Sequence, residues 1–276
     1  MNNVLVTGAN GRLGAELVAE HSCIGYTGSL LVNPHRDLLR IRVDTPFDTI
    51  INCAAVTNVD ECERDFESAC MSNVTGVLSL IDIANELDVH LIQLSTDYVF
   101  GGGRQTGVFN EWAYYYPINF YGSTKMEAEI SIINLCKRFS IIRTTVLYGS
   151  ITKPDFVTSI LDKLKKGVPF EVTKSVIGTP TYIPHLAEAI MEYIKKGYEN
   201  TIMNIAGTTR LSRYEFALMI ANVWGYDPKL IVPTLKTFGD AKRTKAGGLS
   251  TSLAVERGLP VYSTIDGLQD MKKWYQ

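Results

Sequence analysis

Short apolar runs alternate with longer amphipathic stretches along most of the chain. Val4–Thr7 is an apolar run of strand length, and Leu13–Glu20 reads as the helix that follows it across a tight glycine turn. Thr49–Asn52 predicts a second strand, and a long helix falls within Glu67–Leu87. A strand at His90–Ser95, a helix from about Tyr121 to Cys136 and a strand at Ser140–Arg143 continue the alternation. Strand–helix–strand order at this spacing predicts an α/β protein, a Rossmann-type doubly wound parallel sheet with helices on both faces. The segment from His21 to Asp48 is the least legible, because it is short for a full crossover and Pro34 and Pro46 interrupt it.

Beyond Gly149 the pattern loosens. Asp155–Lys166 and Pro184–Lys196 read as helices, the second with proline well placed at its start. Ile202–Ala206 reads as a strand, and Ser212–Trp224 as a helix capped by Ser212 with Glu215 three residues on. The expected organisation is a dinucleotide-binding domain over residues 1–150 and a smaller, interleaved C-terminal α/β substrate lobe over 151–276. Segments near 176–225 are expected to return to the first domain. Gly101-Gly102-Gly103 reads only as a flexible loop.

Composition narrows the class of function. A formal net charge of −2 gives no reason to expect nucleic acid or an anionic membrane as partner, and the clusters around Lys163–Lys166 and Lys195–Lys196 read as solvated faces. Cys23, Cys53, Cys62, Cys70 and Cys136 show no Cys-x-x-Cys spacing and read as reduced, packed thiols. No basic, cleavable leader and no apolar run near the ~20 residues of a membrane span are present, so a cytoplasmic location is expected. The histidines lack metal-ligand spacing and no Gly-x-Ser-x-Gly elbow occurs, which removes the simplest zinc and hydrolase readings.

Gly8, Gly11 and Gly14 keep the spacing of a dinucleotide-binding turn, in the run Thr7-Gly8-Ala9-Asn10-Gly11-Arg12-Leu13-Gly14 between the first strand and the first helix. Gly8 permits the reversal, Gly11 lets backbone approach a pyrophosphate, and Gly14 lets helix and strand pack closely. No carboxylate stands where NAD enzymes hold the ribose diol, since the chain there reads Gly25-Tyr26-Thr27-Gly28-Ser29. Arg36 or Arg12 could take a 2′-phosphate, which leans towards NADP (NADPH) with NAD left open.

Tyr121 and Lys125 lie four residues apart in a predicted helix and so share a face. A nearby ammonium is expected to lower the phenol pKa, making Tyr121 a proton donor to a carbonyl oxygen. Thr96, at the end of the His90–Ser95 strand, is placed to polarise the same oxygen. The expected catalytic set is Thr96, Tyr121 and Lys125.

These residues carry a resemblance. The chain resembles the extended short-chain dehydrogenase/reductases, in the subgroup of the dTDP-4-dehydrorhamnose reductases. The matching segments are Val6-Thr7-Gly8-Ala9-Asn10-Gly11, Ile51-Asn52-Cys53-Ala54-Ala55 with Thr57 and Val59-Asp60, and Ser95-Thr96-Asp97-Tyr98-Val99-Phe100. Glu111, Pro117, Asn119, Tyr121-Gly122-Ser123-Thr124-Lys125, Arg143-Thr144, Tyr148-Gly149 and Gly178-Thr179-Pro180-Thr181 extend the match. The resemblance implies NAD(P)H-dependent reduction of a nucleotide-linked 4-keto-6-deoxy sugar, with catalysis by Thr96, Tyr121 and Lys125. It places cofactor contacts at Gly8, Asn10, Gly11, Arg12, Leu13, Gly14, Ala54, Ala55 and Lys125, and substrate contacts at Thr57, Asp97, Tyr98 and Arg243. Lys242 is an alternative to Arg243 on a substrate phosphate. A homodimer is compatible with the resemblance.

Related sugar dehydratases carry Asp-Glu after the threonine, where this chain has Asp97-Tyr98, so reduction is favoured over dehydration. Other departures are Val56 for a usual Tyr, Val146-Leu147 where a Trp is usual, and Gly101 for a usual Asp. Two alternatives remain beside the reductase: a dinucleotide-binding regulatory subunit without turnover, and a nucleotide-sugar epimerase with tightly held NAD.

Overall fold

The computed structural model describes residues 3–32, 34–102, 107–245 and 247–275, without the side chains of residues 35, 36, 39, 40 and 43. The Arg36 side chain, considered above for a 2′-phosphate, and Gly103 of the glycine loop lie outside the described residues.

Six parallel strands form the central sheet, in the spatial order Thr201–Asn204, Phe139–Thr144, His90–Thr96, Thr49–Asn52, Val4–Thr7 and Ile24–Tyr26. The chain leaves Val4–Thr7 towards one edge and returns to its other side, which makes a crevice at the carboxyl ends where the order reverses. Register brings Thr7 level with Asn52 and Asn52 level with Gln93.

Period-two alternation sends each strand's side chains into two cores. Val4, Val6, Ile51, Ile92 and Ile142 pack with Leu13 and Leu17 of the helix Arg12–His21 and with Leu186, Ile190 and Ile194 of the helix Ile183–Lys195. Leu5, Ile50, Leu91 and Ile141 meet Leu38, Leu80, Ile81 and Ile132 from the helices Pro34–Asp44, Gly76–Leu87 and Phe120–Leu135. A third apolar cluster joins the helices Phe156–Lys165, Arg213–Trp224 and Thr264–Trp274 around Tyr148, Leu161, Phe216 and Leu268. Ala254 and Leu259, late in the chain, belong to the first core and not to the third.

The illegible segment proves to be a complete crossover: the strand Ile24–Tyr26 and the helix Pro34–Asp44. Pro34 opens that helix instead of breaking it, since a first-turn position needs no N–H. The long helix expected within Glu67–Leu87 is continuous from Phe66 but contains a π turn at Met71–Thr75. The expected strand Ile202–Ala206 is paired only over Thr201–Asn204. Ser212 and Glu215 form the reciprocal cap read from the sequence. No described helix is long and apolar enough to cross a membrane.

Candidate active site

The carboxyl ends of the strands carry a connected set of buried polar side chains. Thr7 donates to Asn52 Oδ1 at 2.6 Å, and Asn52 Nδ2 donates to Gln93 Oε1 at 2.8 Å. The same Asn52 oxygen accepts the Ala54 amide at 3.1 Å, turning the chain out of its strand against the glycine loop. Gly8 sits there with φ +66°, and a Cβ on it would meet the Ala54 nitrogen at 2.6 Å. A Cβ on Gly14 would meet the Gly8 carbonyl oxygen at 2.3 Å. Both glycines are required by space, and Gly8 also by its backbone conformation.

The predicted cofactor residues divide in two. Gly8, Gly11 and Gly14 form the turn with the exposed Asn10, and Ala54 and Ala55 lie on the facing loop. Leu13 points away, buried in the first core. Arg12 Nη2 donates to the Pro154 carbonyl at 2.7 Å, which ties the glycine loop to the segment after Gly149.

Asn119 caps the helix Phe120–Leu135 by accepting the Gly122 amide at 2.8 Å, and this sets the rotation of the helix. Tyr121 and Lys125 thereby face the end of the strand His90–Thr96. The Thr96 hydroxyl lies close enough to the Tyr121 phenol to lower its pKa. The three expected catalytic residues are therefore brought to one place. The lowered phenol pKa expected from Lys125 is not found: burial pushes Tyr121 up, and the Thr96 hydroxyl only partly opposes it. Burial instead lowers Lys125, to about 8, against the pull of Glu129 and Cys53.

Residues whose roles were not read from the sequence hold this arrangement. Asn73, in the π turn, accepts the Val56 amide at 2.8 Å and donates to the Val56 carbonyl and to Thr124 Oγ1, each at 3.0 Å. It joins the cofactor-side loop to the catalytic helix; π turns of this kind recur at functional sites. Glu129, one turn beyond Lys125, accepts from Ser95, pairs with Arg143 at 2.6 Å and accepts from Tyr115 at 2.7 Å. The Arg143 guanidinium is also flanked by the Phe100 and Tyr115 rings, at 4.9 and 5.4 Å. Arg143 and Asn119 were visible as matching positions, but a buried ion pair leaves no trace in local sequence pattern.

The expected substrate residues are less uniform. Thr57 is exposed on the loop after Thr49–Asn52. Burial pushes the Asp97 carboxyl up, opposed by bonds from Thr145 and from the Gly248 amide. Tyr98, likewise pushed up by burial, packs edge-on against Tyr121 at 5.8 Å. Arg243 is ion-paired with Asp60 at 2.6 Å. Lys242 contributes its carbonyl, which accepts from Asn119 at 2.8 Å, while the residue itself is exposed.

The segments Ala241–Lys245 and Gly247–Leu249 thus form a strap over the catalytic loops, anchored at Asp60, Asp97 and Asn119. Gly101, where an aspartate is usual, has φ +109° and lies against this strap, where a Cβ would meet that of Thr244 at 2.7 Å. Val146, at the usual tryptophan, has φ +50°, a strained conformation for a β-branched residue.

Comparison with known proteins identifies the family and the fold. The chain is 28% identical over 274 residues to a dTDP-4-dehydrorhamnose reductase of Mycolicibacterium smegmatis, covering 97% of this chain and 84% of that one. It is 32% identical over 238 residues to a dTDP-4-keto-6-deoxy-D-glucose reductase of Streptomyces niveus, covering 83% and 81%. The structure of a dTDP-4-dehydrorhamnose reductase from Bacillus anthracis, solved in complex with NADP, superposes with a TM-score of 0.88. That pair is 27% identical, with all of both chains covered. The model of the RmlD substrate binding domain family matches residues 1–272, and the chain belongs to that family.

Proposed function

We propose that the protein reduces a nucleotide-linked 4-keto-6-deoxy sugar with NADPH, in the manner of the dTDP-4-dehydrorhamnose reductases. The observation that carries this reading is the juxtaposition of Thr96, Tyr121 and Lys125, all buried, at the carboxyl end of a strand that faces the glycine turn.

The turn fits a dinucleotide: Gly8, Gly11 and Gly14 clear the space that side chains would fill, and the helix beginning at Arg12 turns its amide end to the loop. NADPH held there would supply the hydride for the carbonyl carbon. Tyr121 gives its proton to the oxygen, a task suited to a phenol that burial keeps neutral. Thr96 hydrogen-bonds the same oxygen as its charge develops. Lys125, still mostly protonated at neutral pH, would hold the nicotinamide ribose hydroxyls and offset the phenolate left on Tyr121.

Asp97 stands beside a phenol and not beside a second carboxylate, and burial raises that phenol further. The site therefore lacks the base that dehydration needs. The third apolar cluster is the substrate lobe, with Arg243 facing the nucleotide diphosphate from the strap. A reaction that uses NADPH and a nucleotide sugar fits a cytoplasmic enzyme.

The test is NADPH oxidation by the purified protein with dTDP-4-dehydrorhamnose and other nucleotide-linked 4-keto sugars. Turnover with one of them establishes the reductase. Absence of turnover with all of them, with NADPH binding intact, overturns it in favour of a regulatory dinucleotide-binding subunit.

A further inference from the structure

Two guanidinium groups stand at the rim of the site, and their charges are compensated unequally. Arg243 is neutralised by Asp60 at 2.6 Å and further held by the Ala241 carbonyl at 3.0 Å. Arg213, the first residue of the helix Arg213–Trp224, has no carboxylate within 4.0 Å among the described residues. Its guanidinium carbon lies over the Phe156 ring, 4.9 Å from the centroid. It lies within electrostatic reach of Asp97, Tyr98 and Arg243. Asp97 favours its charged form only from beyond ion-pair distance, and that carboxyl itself accepts from the Gly248 amide at 3.3 Å.

A recessed guanidinium near a second one is disfavoured on its own and favoured around an anion. Burial disfavours the charged form of Arg213, and the neighbouring Arg243 adds to this. A guanidinium is planar and presents paired N–H groups that match two oxygens of a phosphate.

From this geometry we infer that Arg213 is a substrate-binding residue, whose guanidinium takes the diphosphate of the nucleotide sugar together with Arg243. The inference rests on the reading that the substrate is a nucleotide sugar. It adds that recognition of the diphosphate is centred on the cation without a carboxylate partner, with the Asp60-paired Arg243 in the lesser role. The Phe156 ring is the positioning surface for Arg213, linking substrate recognition to the helix Phe156–Lys165.

The test is calorimetric titration of dTDP, with thymidine as the control, into the full chain saturated with NADPH. Arg213→Met keeps the length and the apolar contact with Phe156 but removes the charge. The expected result is a loss of dTDP affinity of about tenfold or more, with thymidine and NADPH binding unchanged. Arg213→Lys is expected to fall between, because it keeps charge without the planar fork. Should Arg213→Met lose its cooperative melt, a loss of about threefold or more for Arg213→Lys supports the assignment, and an unchanged affinity overturns it. Equal dTDP affinity for wild type and Arg213→Met, or a wild type that does not prefer dTDP to thymidine, also overturns it. The two readings fail separately. Sugar turnover with Arg213-independent dTDP binding removes this inference alone. Arg213-dependent dTDP binding without any sugar turnover removes the reductase alone.

Discussion

Gly122 lies so close to the Tyr98 carbonyl that a Cβ on it would meet the oxygen at 2.1 Å. The catalytic helix and the loop after the strand His90–Thr96 are thus in backbone contact, one residue from Tyr121 and two from Thr96. Pro117 closes the other side, 3.1 Å from the same Cβ. Gly122→Ala must push the two apart, at a cost of about 1–3 kcal/mol in stability. A displacement near 1 Å at the site is expected to lower kcat about 100-fold. Denaturant melts and steady-state kinetics on one preparation check both, and a fully active alanine variant would contradict this geometry.

Tyr121→Phe removes only the transferable proton. Turnover is expected to fall by about 10²–10⁴-fold, with NADPH affinity retained. Near-normal activity would remove Tyr121 from the mechanism.

Gly8→Ala addresses the cofactor turn without touching the catalytic residues. The required φ of +66° and the 2.6 Å approach to Ala54 leave no room for a methyl group. NADPH at 100 times its Kd is expected to stabilise the wild type by about 2.7 kcal/mol. The thermal shift should vanish in the variant.

Lys125 imposes a pH-dependent cost. Its pKa is lowered from 10.5 to about 8 by burial, so between these values the unfolded chain binds more protons than the folded one. Stability from this group therefore rises with pH across that window, and the penalty, roughly 3 kcal/mol, is fully present below pH 8. Lys125→Met is expected to be at least as stable as wild type at pH 7 while losing activity. Its advantage should fade between pH 8 and 10.5. Urea melts at pH 7 and pH 10 measure the crossover, and a variant less stable at pH 7 would contradict it.

Glu129 and Arg143 are both buried, at 0% and 1% side-chain exposure, so each depends on the other for its charge. Arg143→Met alone is expected to cost about 3–5 kcal/mol, because it strands a buried carboxylate. The double variant with Glu129→Leu should cost less than the sum of the single changes. A double-mutant cycle that proves additive would show the pair to be uncoupled.

Much of the fold could be read directly from residue patterns. Thr49–Asn52 is buried on both faces around its β-branched pair Ile50-Ile51, and Ser212 with Glu215 announces its helix by a local cap. Ile24–Tyr26 escaped because a three-residue edge strand carries too little pattern, and Pro34 was read as a break where it is a start. In the site, Thr96, Tyr121 and Lys125 stood out because their spacing on one strand and one helix is local. Arg213 did not, since its meaning depends on Phe156, Asp97 and Arg243, which only the folded chain brings together. The direction of the Tyr121 pKa shift was misjudged for a related reason: desolvation depends on everything packed around the phenol, and spacing to one lysine does not report it.

The strap from Ala241 to Leu249 also bears on how the protein is made. Asp60, Asp97 and Asn119 leave the ribosome well over a hundred residues ahead of the segment that bonds them. Until that segment emerges, the growing chain can assemble its first strands and the glycine turn, but the substrate rim has no far wall. Closure over so long a separation is slow compared with local helix formation. During synthesis, the ability to hold a dinucleotide should therefore arise before the ability to hold a sugar nucleotide, and a chain released early would retain the first without the second.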